Sequence, residues 1–215
     1  MNKIIPAILT DSLEEFKEQI KIVKEFAEYA QVDIMDGKFV NNISFDKNNS
    51  SMGLIIGKTI GIDLEIHLMV ENPLEYIEKM KNFRDIFRVI FHIESLDNPD
   101  EVIKKAKSLG LEIGIAINPE TSTEKLEPYT DKINQVLFLT VNPGKQGARF
   151  LPEMETKVKE FKKLHPEMTV AVDGGISKDT IDQVKSWGVD IFNVGSAIMK
   201  TENPKDSYKK LQELI

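Results

Sequence analysis

Two aspartates lie at the ends of hydrophobic runs, where packing alone gives no reason for a carboxylate. Asp33 lies inside the run Val32–Gly37, and Asp173 follows Val170–Val172 and precedes two glycines. A buried carboxylate without a partner is costly. A pair of them at the ends of predicted strands therefore indicates acid–base chemistry in one shared site, and we predict Asp33 and Asp173 as the catalytic residues.

A histidine on a neighbouring predicted strand completes a possible metal site. Side chains alternate between the two faces of a strand, and the apolar face should meet the helices. The predicted interior positions are Gln31, Asp33 and Met35 on one strand and Glu65, His67 and Met69 on the next. Asp33, His67 and Asp173 then converge as ligands suited to Zn, Fe, Mn or Co. Taken singly, an inward histidine is more often a satisfied core residue, and an aspartate before Gly-Gly is commonly a turn residue.

The elements that must position these residues alternate along the whole chain. Strands are predicted at Ile4–Leu9, Tyr29–Met35, Asp63–Val70, Phe87–Ile93, Glu112–Ile117, Gln135–Val141, Thr169–Val172 and Ile191–Val194. Helices are predicted at Ser12–Glu28, Pro73–Phe83, Pro99–Leu109, Met154–His165, Lys178–Trp187 and Pro204–Leu214. This order predicts a single-domain (β/α)₈ barrel over residues 1–215. A doubly wound open sheet is the alternative, but it usually has fewer strands and a glycine-rich turn after the first one.

Glycines after the later strands predict a phosphate site. In (β/α)₈ barrels the loops after strands seven and eight commonly bind phosphate through backbone N–H groups. The candidates there are Gly174, Gly175, Gly195 and Ser196, and Gly144 and Gly147 lie in a lid-like segment after strand six. The simpler explanation is that these glycines only form turns.

Composition limits the partners. The net charge of −7 argues against nucleic acid and anionic membranes. Without cysteine there is no disulfide and no thiol nucleophile. No signal-peptide pattern or run of transmembrane length is present, so we expect a cytoplasmic protein. The Asn/Ser-rich segment 41–51 is predicted to be a long loop after the second strand.

The motifs, in their order along the chain, resemble those of the ribulose-phosphate 3-epimerase family. They are Val32–Val40, Ile66–Met69, Val141–Gly144, Val172–Ile176 and Gly195–Ile198. The resemblance implies a (β/α)₈ barrel, one divalent metal ion and a small phosphorylated sugar as substrate, and we expect a homo-oligomer. It implies that Asp33 and Asp173 exchange protons with substrate, that His67 is a ligand, and that Met35 and Met69 shield the reacting carbon from water.

The chain departs from the family pattern at its metal site and in its first strand. Gln31 stands where the family has a metal-binding histidine, and Ala7 stands where it has a serine. A neutral amide oxygen is a poorer ligand than imidazole for borderline metals. Weaker metal binding, a preference for harder ions, and no metal at all are therefore all open.

The resulting functional hypothesis is metal-assisted 3-epimerisation of a ketose phosphate through an enediolate, with D-ribulose 5-phosphate converted to D-xylulose 5-phosphate. The alternatives are an epimerase for another phosphosugar, such as allulose 6-phosphate, and a phosphosugar-binding homologue with weakened catalysis. A Schiff-base aldolase is disfavoured because no lysine is predicted at an inward-facing strand end.

Overall fold

A computed structural model describes residues 2–44, 61–81, 83–95, 98–143 and 148–215. Its eight parallel strands close into a barrel in chain order. They are β1 Lys3–Ile8, β2 Tyr29–Met35, β3 Asp63–Met69, β4 Ile86–His92, β5 Glu112–Ile117, β6 Gln135–Leu139, β7 Thr169–Asp173 and β8 Ile191–Val194. The predicted (β/α)₈ barrel is confirmed.

Helices follow most of the strands in the described part of the chain. They are α1 Leu13–Val23, α2 Pro73–Lys79, α3 Asp100–Ser108, α4 Met154–Leu164, α5 Ile181–Lys185, α6 Ser196–Met199 and α7 Pro204–Gln212. Short 3₁₀ helices at Ile93–Ser95 and Thr123–Tyr129 follow β4 and β5. Inside the described ranges no helix is long and apolar enough to cross a membrane.

Helix α1 illustrates how the sequence sets these elements. Ser12 caps its first turn by accepting a hydrogen bond from the Glu15 N–H at 3.1 Å. Phe16, Ile20 and Val23 form its buried face. The prediction extended the helix to residue 28, but the chain leaves the helix at Lys24, and the Phe26 N–H turns back to the Val23 carbonyl at 3.1 Å.

Helix α5 begins later than the predicted start at Lys178. Thr180 donates from its hydroxyl to the Gly175 carbonyl at 2.9 Å and accepts from the Ser177 N–H at 3.0 Å. These bonds hold a turn over residues 175–180, so the helix begins only at Ile181. The 3₁₀ helix Thr123–Tyr129 was not predicted.

The core has an outer and an inner part, as alternation of side chains requires. Between strands and helices lies a large apolar cluster to which β2 contributes Ala30, Val32 and Ile34. A smaller apolar cluster fills part of the barrel interior and consists of Ile5, Ile90, Ala116, Leu137, Leu139, Ala171 and Ile191. The other face of β2 carries Gln31 and Asp33, which are buried without joining either cluster. Polar groups therefore occupy the rest of the interior.

Candidate active site

Asp33, His67 and Asp173 meet at the carboxyl ends of their strands. Asp33 and His67 are paired in register on β2 and β3. The His67 Nδ1 lies 2.9 Å from the Asp33 Oδ1 and 3.7 Å from the Asp173 Oδ2. One ligand atom from each of the three residues lies within 4.8 Å of the others. The predicted convergence of these side chains is present in the structure.

Gln31 lies directly beneath the two carboxylates and is fully buried. Its Nε2 donates to the Asp33 Oδ1 at 3.0 Å and to the Asp173 Oδ2 at 2.6 Å. Its Oε1 points the other way and accepts a hydrogen bond from the Asn193 Nδ2. The group that faces the carboxylates is therefore the amide nitrogen, a hydrogen-bond donor that cannot ligate a metal.

A second histidine holds His67 from behind. The His67 Nε2 lies 3.0 Å from the His92 Nε2, and the His92 Nδ1 lies 3.2 Å from the Glu94 Oε2. Burial lowers the pKa of His92 to about 4, so this ring is neutral at pH 7. With the His92 proton on Nδ1 toward Glu94, its Nε2 accepts from His67 Nε2–H. The remaining nitrogen of His67, Nδ1, faces the carboxylates.

Charge in the site follows from burial and proximity. Burial opposes the charged form of His67, but the hydrogen bond and the negative charge of Asp33 raise its pKa overall. Burial, followed by the negative charge of Asp33, raises the pKa of Asp173 to about 7. Near neutral pH the Asp173 carboxyl can therefore hold or release a proton, as an acid–base catalyst must.

A polar network extends from the site toward the amino ends of the strands. Asn193 also donates to the Glu65 Oε1 at 2.8 Å, and the Glu65 Oε2 accepts from the Arg88 Nη1 at 2.6 Å. Arg88 also donates to the Gln135 side-chain oxygen and, at 2.6 Å from its Nη2, to the Glu112 Oε2. Together with Gln31, the network fixes buried polar side chains of five strands in one arrangement.

A cavity that is open to solvent lies above these residues. Its lining includes Asp33, His67, Met69, Asp173, Gly174, Gly175, Asn193, Gly195 and Ser196. Every predicted site residue in that list therefore surrounds one space.

The other predicted residues fall elsewhere. Met35 is buried beside Met69 and Val40 at the mouth of the barrel and does not line the cavity. Gly144, Gly147 and residues 45–51 of the predicted loop lie outside the described residues. The segment's residues Asn42 to Ser44 return to β2, where the Ser44 Oγ accepts from the Met35 N–H at 2.6 Å.

The backbone itself requires glycine after β7. Gly174 and Gly175 have φ values of +114° and +68°, a region that side chains rarely adopt. A Cβ at Gly175 would lie 2.8 Å from the Cβ of Phe150. The turn-forming explanation of these two glycines is thus sufficient by itself, and any role in phosphate binding is additional.

The donor set fits a divalent cation at three positions. Two carboxylates and one imidazole within 4.8 Å form a ligand set that borderline metals accept. The His92–Glu94 pair behind His67 is the kind of support that orients metal-ligating histidines. The fourth corner, occupied by Gln31, presents a donor nitrogen. Asp33, His67 and Asp173 could therefore hold the ion, and Gln31 does not add a ligand.

Sequence reasoning missed Asn193, Arg88 and Gln135. Asn193 lies at an inward position of β8, paired in register with Asp173. Its neighbours Phe192 and Val194 belong to the outer apolar cluster. The same alternation that identified Asp33 could therefore have identified Asn193, as a polar residue between two apolar ones.

The fold and the site define a (β/α)₈ barrel with an acidic, metal-type centre at the carboxyl ends of its strands. The model of the Ribulose-phosphate 3 epimerase family matches residues 3–199, and the chain belongs to that family. A ribulose-phosphate 3-epimerase of Methanocaldococcus jannaschii is 33% identical over 222 residues, covering 99% of this chain and 91% of that protein. The ribulose-phosphate 3-epimerase of Bacillus subtilis is 31% identical over 223 residues, covering 99% of both.

A solved structure supports the fold alone. The 3-hexulose-6-phosphate synthase of Salmonella typhimurium superimposes with a TM-score of 0.72 at 15% identity, covering 99% of this chain and 97% of that one. The resemblance inferred from the motifs is confirmed by the family match.

Proposed function

We propose that the protein is an isomerase that inverts C3 of a ketose phosphate and interconverts D-ribulose 5-phosphate and D-xylulose 5-phosphate. The observation that carries this proposal is the pair of carboxylates, Asp33 and Asp173, at the floor of one cavity and on strands on either side of it. Inversion without a second substrate needs one group to remove the C3 proton and another to return a proton from the opposite face. Membership of the family supports the same reaction.

The two aspartates exchange roles with the direction of reaction. In one direction an ionised carboxylate takes the C3 proton onto its oxygen, while the protonated partner gives its own proton to the other face. Without a cation the pKa of Asp173 is about 7, because burial and the negative charge of Asp33 raise it, and this value suits both roles at neutral pH. His67 keeps Asp33 in place through its 2.9 Å contact, and Met69 in the cavity wall limits access of water to the carbanion.

A divalent cation would be held by Asp33, His67 and Asp173, and when bound it supplies positive charge that lowers the cost of ionising C3. Zn, Fe, Mn and Co are all compatible with these donors, so the affinity and the availability of each metal decide which one is bound. The phosphate would lie against the turns that contain Gly174, Gly175, Gly195 and Ser196, which anchors the substrate and positions C3. We also propose a cytoplasmic homo-oligomer of single-domain chains.

The decisive experiment measures turnover and isotope exchange together. Purified protein saturated with each candidate metal is given D-ribulose 5-phosphate in D₂O, and formation of D-xylulose 5-phosphate and of C3-deuterated sugar is followed. Asp33→Asn and Asp173→Asn should each lose about 10²–10⁴-fold in kcat. Glu167→Gln, an exposed carboxylate-to-amide change, should lose nothing.

The outcomes separate the alternatives. Full turnover in either aspartate variant contradicts the acid–base assignment. Turnover of allulose 6-phosphate but not of ribulose 5-phosphate identifies a different ketose specificity. Binding of a ketose phosphate without deuterium at C3 identifies a phosphosugar-binding homologue.

A further inference from the structure

The orientation of the Gln31 amide depends on side chains of three other strands. Arg88, on β4, contacts the Glu65 Oε2 at 2.6 Å. The guanidinium of Arg88 donates to this oxygen, and a carboxylate in such an ion pair only accepts hydrogen bonds. The side chain that contacts the other oxygen of Glu65 must therefore be a donor.

Asn193 is that donor, and it has no freedom to turn round. Its Nδ2 lies 2.8 Å from the Glu65 Oε1 and also donates to the Gln31 Oε1. A reversed Asn193 amide would place its oxygen against the carboxylate oxygen of Glu65. The nitrogen therefore faces both neighbours, and Gln31 must present its oxygen to Asn193.

The position of the oxygen then fixes the position of the nitrogen. With the Oε1 of Gln31 toward Asn193, the Nε2 faces the Asp33 Oδ1 at 3.0 Å and the Asp173 Oδ2 at 2.6 Å. A reversed Gln31 would set two amide nitrogens against each other at one end. In the observed orientation, the Gln31 side-chain NH₂ group directs one N–H to each of the two carboxylates.

We propose that Gln31 is a positioning residue whose amide nitrogen, held by the relay Arg88–Glu65–Asn193, bridges and aligns Asp33 and Asp173, and that it is not a metal ligand. The aligning role in catalysis rests on the proposed epimerase function, whereas the orientation of the amide does not. The position of Gln31, beside the three possible ligands, thus holds an N–H donor of fixed orientation in place of a fourth metal ligand. It holds the carboxylate pair together before any cation binds.

The orientation can be read directly by NMR on the wild-type protein, metal-free and loaded with Zn²⁺. The side-chain NH₂ protons of Gln31 should give strong NOEs to the Cβ protons of Asp33 and Asp173 in both states. Strong NOEs to the Asn193 amide protons instead, or a change to that pattern with Zn²⁺, would overturn the proposal. This measurement needs no activity, so it stands even where the proposed reaction fails.

The relay is tested by Asn193→Leu, which removes the donor to the Gln31 oxygen. The NOEs from the Gln31 NH₂ group to both aspartates should weaken as the amide loses its fixed orientation. Unchanged NOEs would show that the relay does not set the orientation. Gln183→Met is the control, since it makes an amide-to-methionine change at an exposed position of α5, where the Gln183 Nε2 donates to the Glu155 Oε2 at 3.4 Å, outside the relay.

The aligning role is tested by Gln31→Met. Loss of the bridging donor should lower kcat about tenfold or more and change KM less than about threefold, because substrate contacts are kept while the reacting groups lose their alignment. Gln183→Met should change neither constant by more than about threefold. A kcat unchanged in Gln31→Met, or a rise in KM alone, contradicts the aligning role.

Discussion

Replacing Arg88 by methionine should cost a large part of the fold's stability. Arg88 is 9% exposed and its Nη1 lies 2.6 Å from the carboxylate of Glu65, which is fully buried. Removing one member of a buried ion pair leaves the other charge uncompensated, at a cost of about 3–5 kcal/mol. The hydrogen bonds to Glu112 add little, since that side chain is 47% exposed, and an exposed pair contributes about 0–1 kcal/mol.

The assay is urea unfolding at pH 7 of the wild type and three variants. Against a total of about 5–15 kcal/mol, Arg88→Met should lose about 3–5 kcal/mol. Glu112→Gln should lose less than about 1 kcal/mol. The double variant Glu65→Gln/Arg88→Met should recover much of the loss, because no buried charge is left unpaired.

The double variant supplies the check on this cause. A loss below about 1 kcal/mol at pH 7, or a double variant no more stable than Arg88→Met, would refute the argument from an uncompensated charge.

Three further predictions concern single positions. Burial lowers the pKa of His92 to about 4 from 6.5. The unfolded chain then binds a proton at this histidine between about pH 6.5 and 4 and the folded chain does not. The free energy of unfolding of the wild type should therefore fall relative to that of His92→Gln as the pH is lowered through this range; the same difference between the two proteins at pH 7 and at pH 4.5 would contradict this. Gly174→Ala adds a Cβ at φ +114° that overlaps a valine side chain, and should cost more in thermal stability than Gly110→Ala, where φ is +77° and no atom lies within 4 Å; equal losses would exclude the overlap. Lys157 donates to two backbone carbonyls of the loop after β5, so Lys157→Met should lose about 1–3 kcal/mol in urea unfolding, whereas Lys159→Met removes an exposed pair and should lose less than about 1 kcal/mol.

The strands could be predicted because each carries its own alternation. The limits predicted for β2 and β5 are those of the structure, since a polar or small residue on one face regularly follows a large apolar residue on the other. The ends of helices were less well predicted. The end of α1 and the start of α5 depend on hydrogen bonds between turns, such as those of Thr180, which hydrophobic periodicity does not report.

The members of the site could be predicted, but their hydrogen-bonding roles could not. Asp33, His67 and Asp173 each lie on an inward face that local sequence identifies, and barrel closure brings them together. The direction of the Gln31 amide depends on Glu65, Arg88 and Asn193, which lie on three other strands. No pattern within β2 contains that information, so the sequence left open whether Gln31 binds metal.

The same polar network links the stability of the barrel to the geometry of its site. Arg88 stabilises Glu65, Glu65 orients Asn193, and Asn193 orients Gln31 beneath the reacting carboxylates. Arg88→Met should therefore change both the stability of the fold and the orientation of the Gln31 amide, and these two effects are measured separately by urea unfolding and by NOEs. If it destabilises the fold while the NOEs between Gln31 and the aspartates persist, Asn193 alone holds the amide. If stability and NOEs are lost together, the charge pair at the amino ends of the strands also sets the alignment at their carboxyl ends.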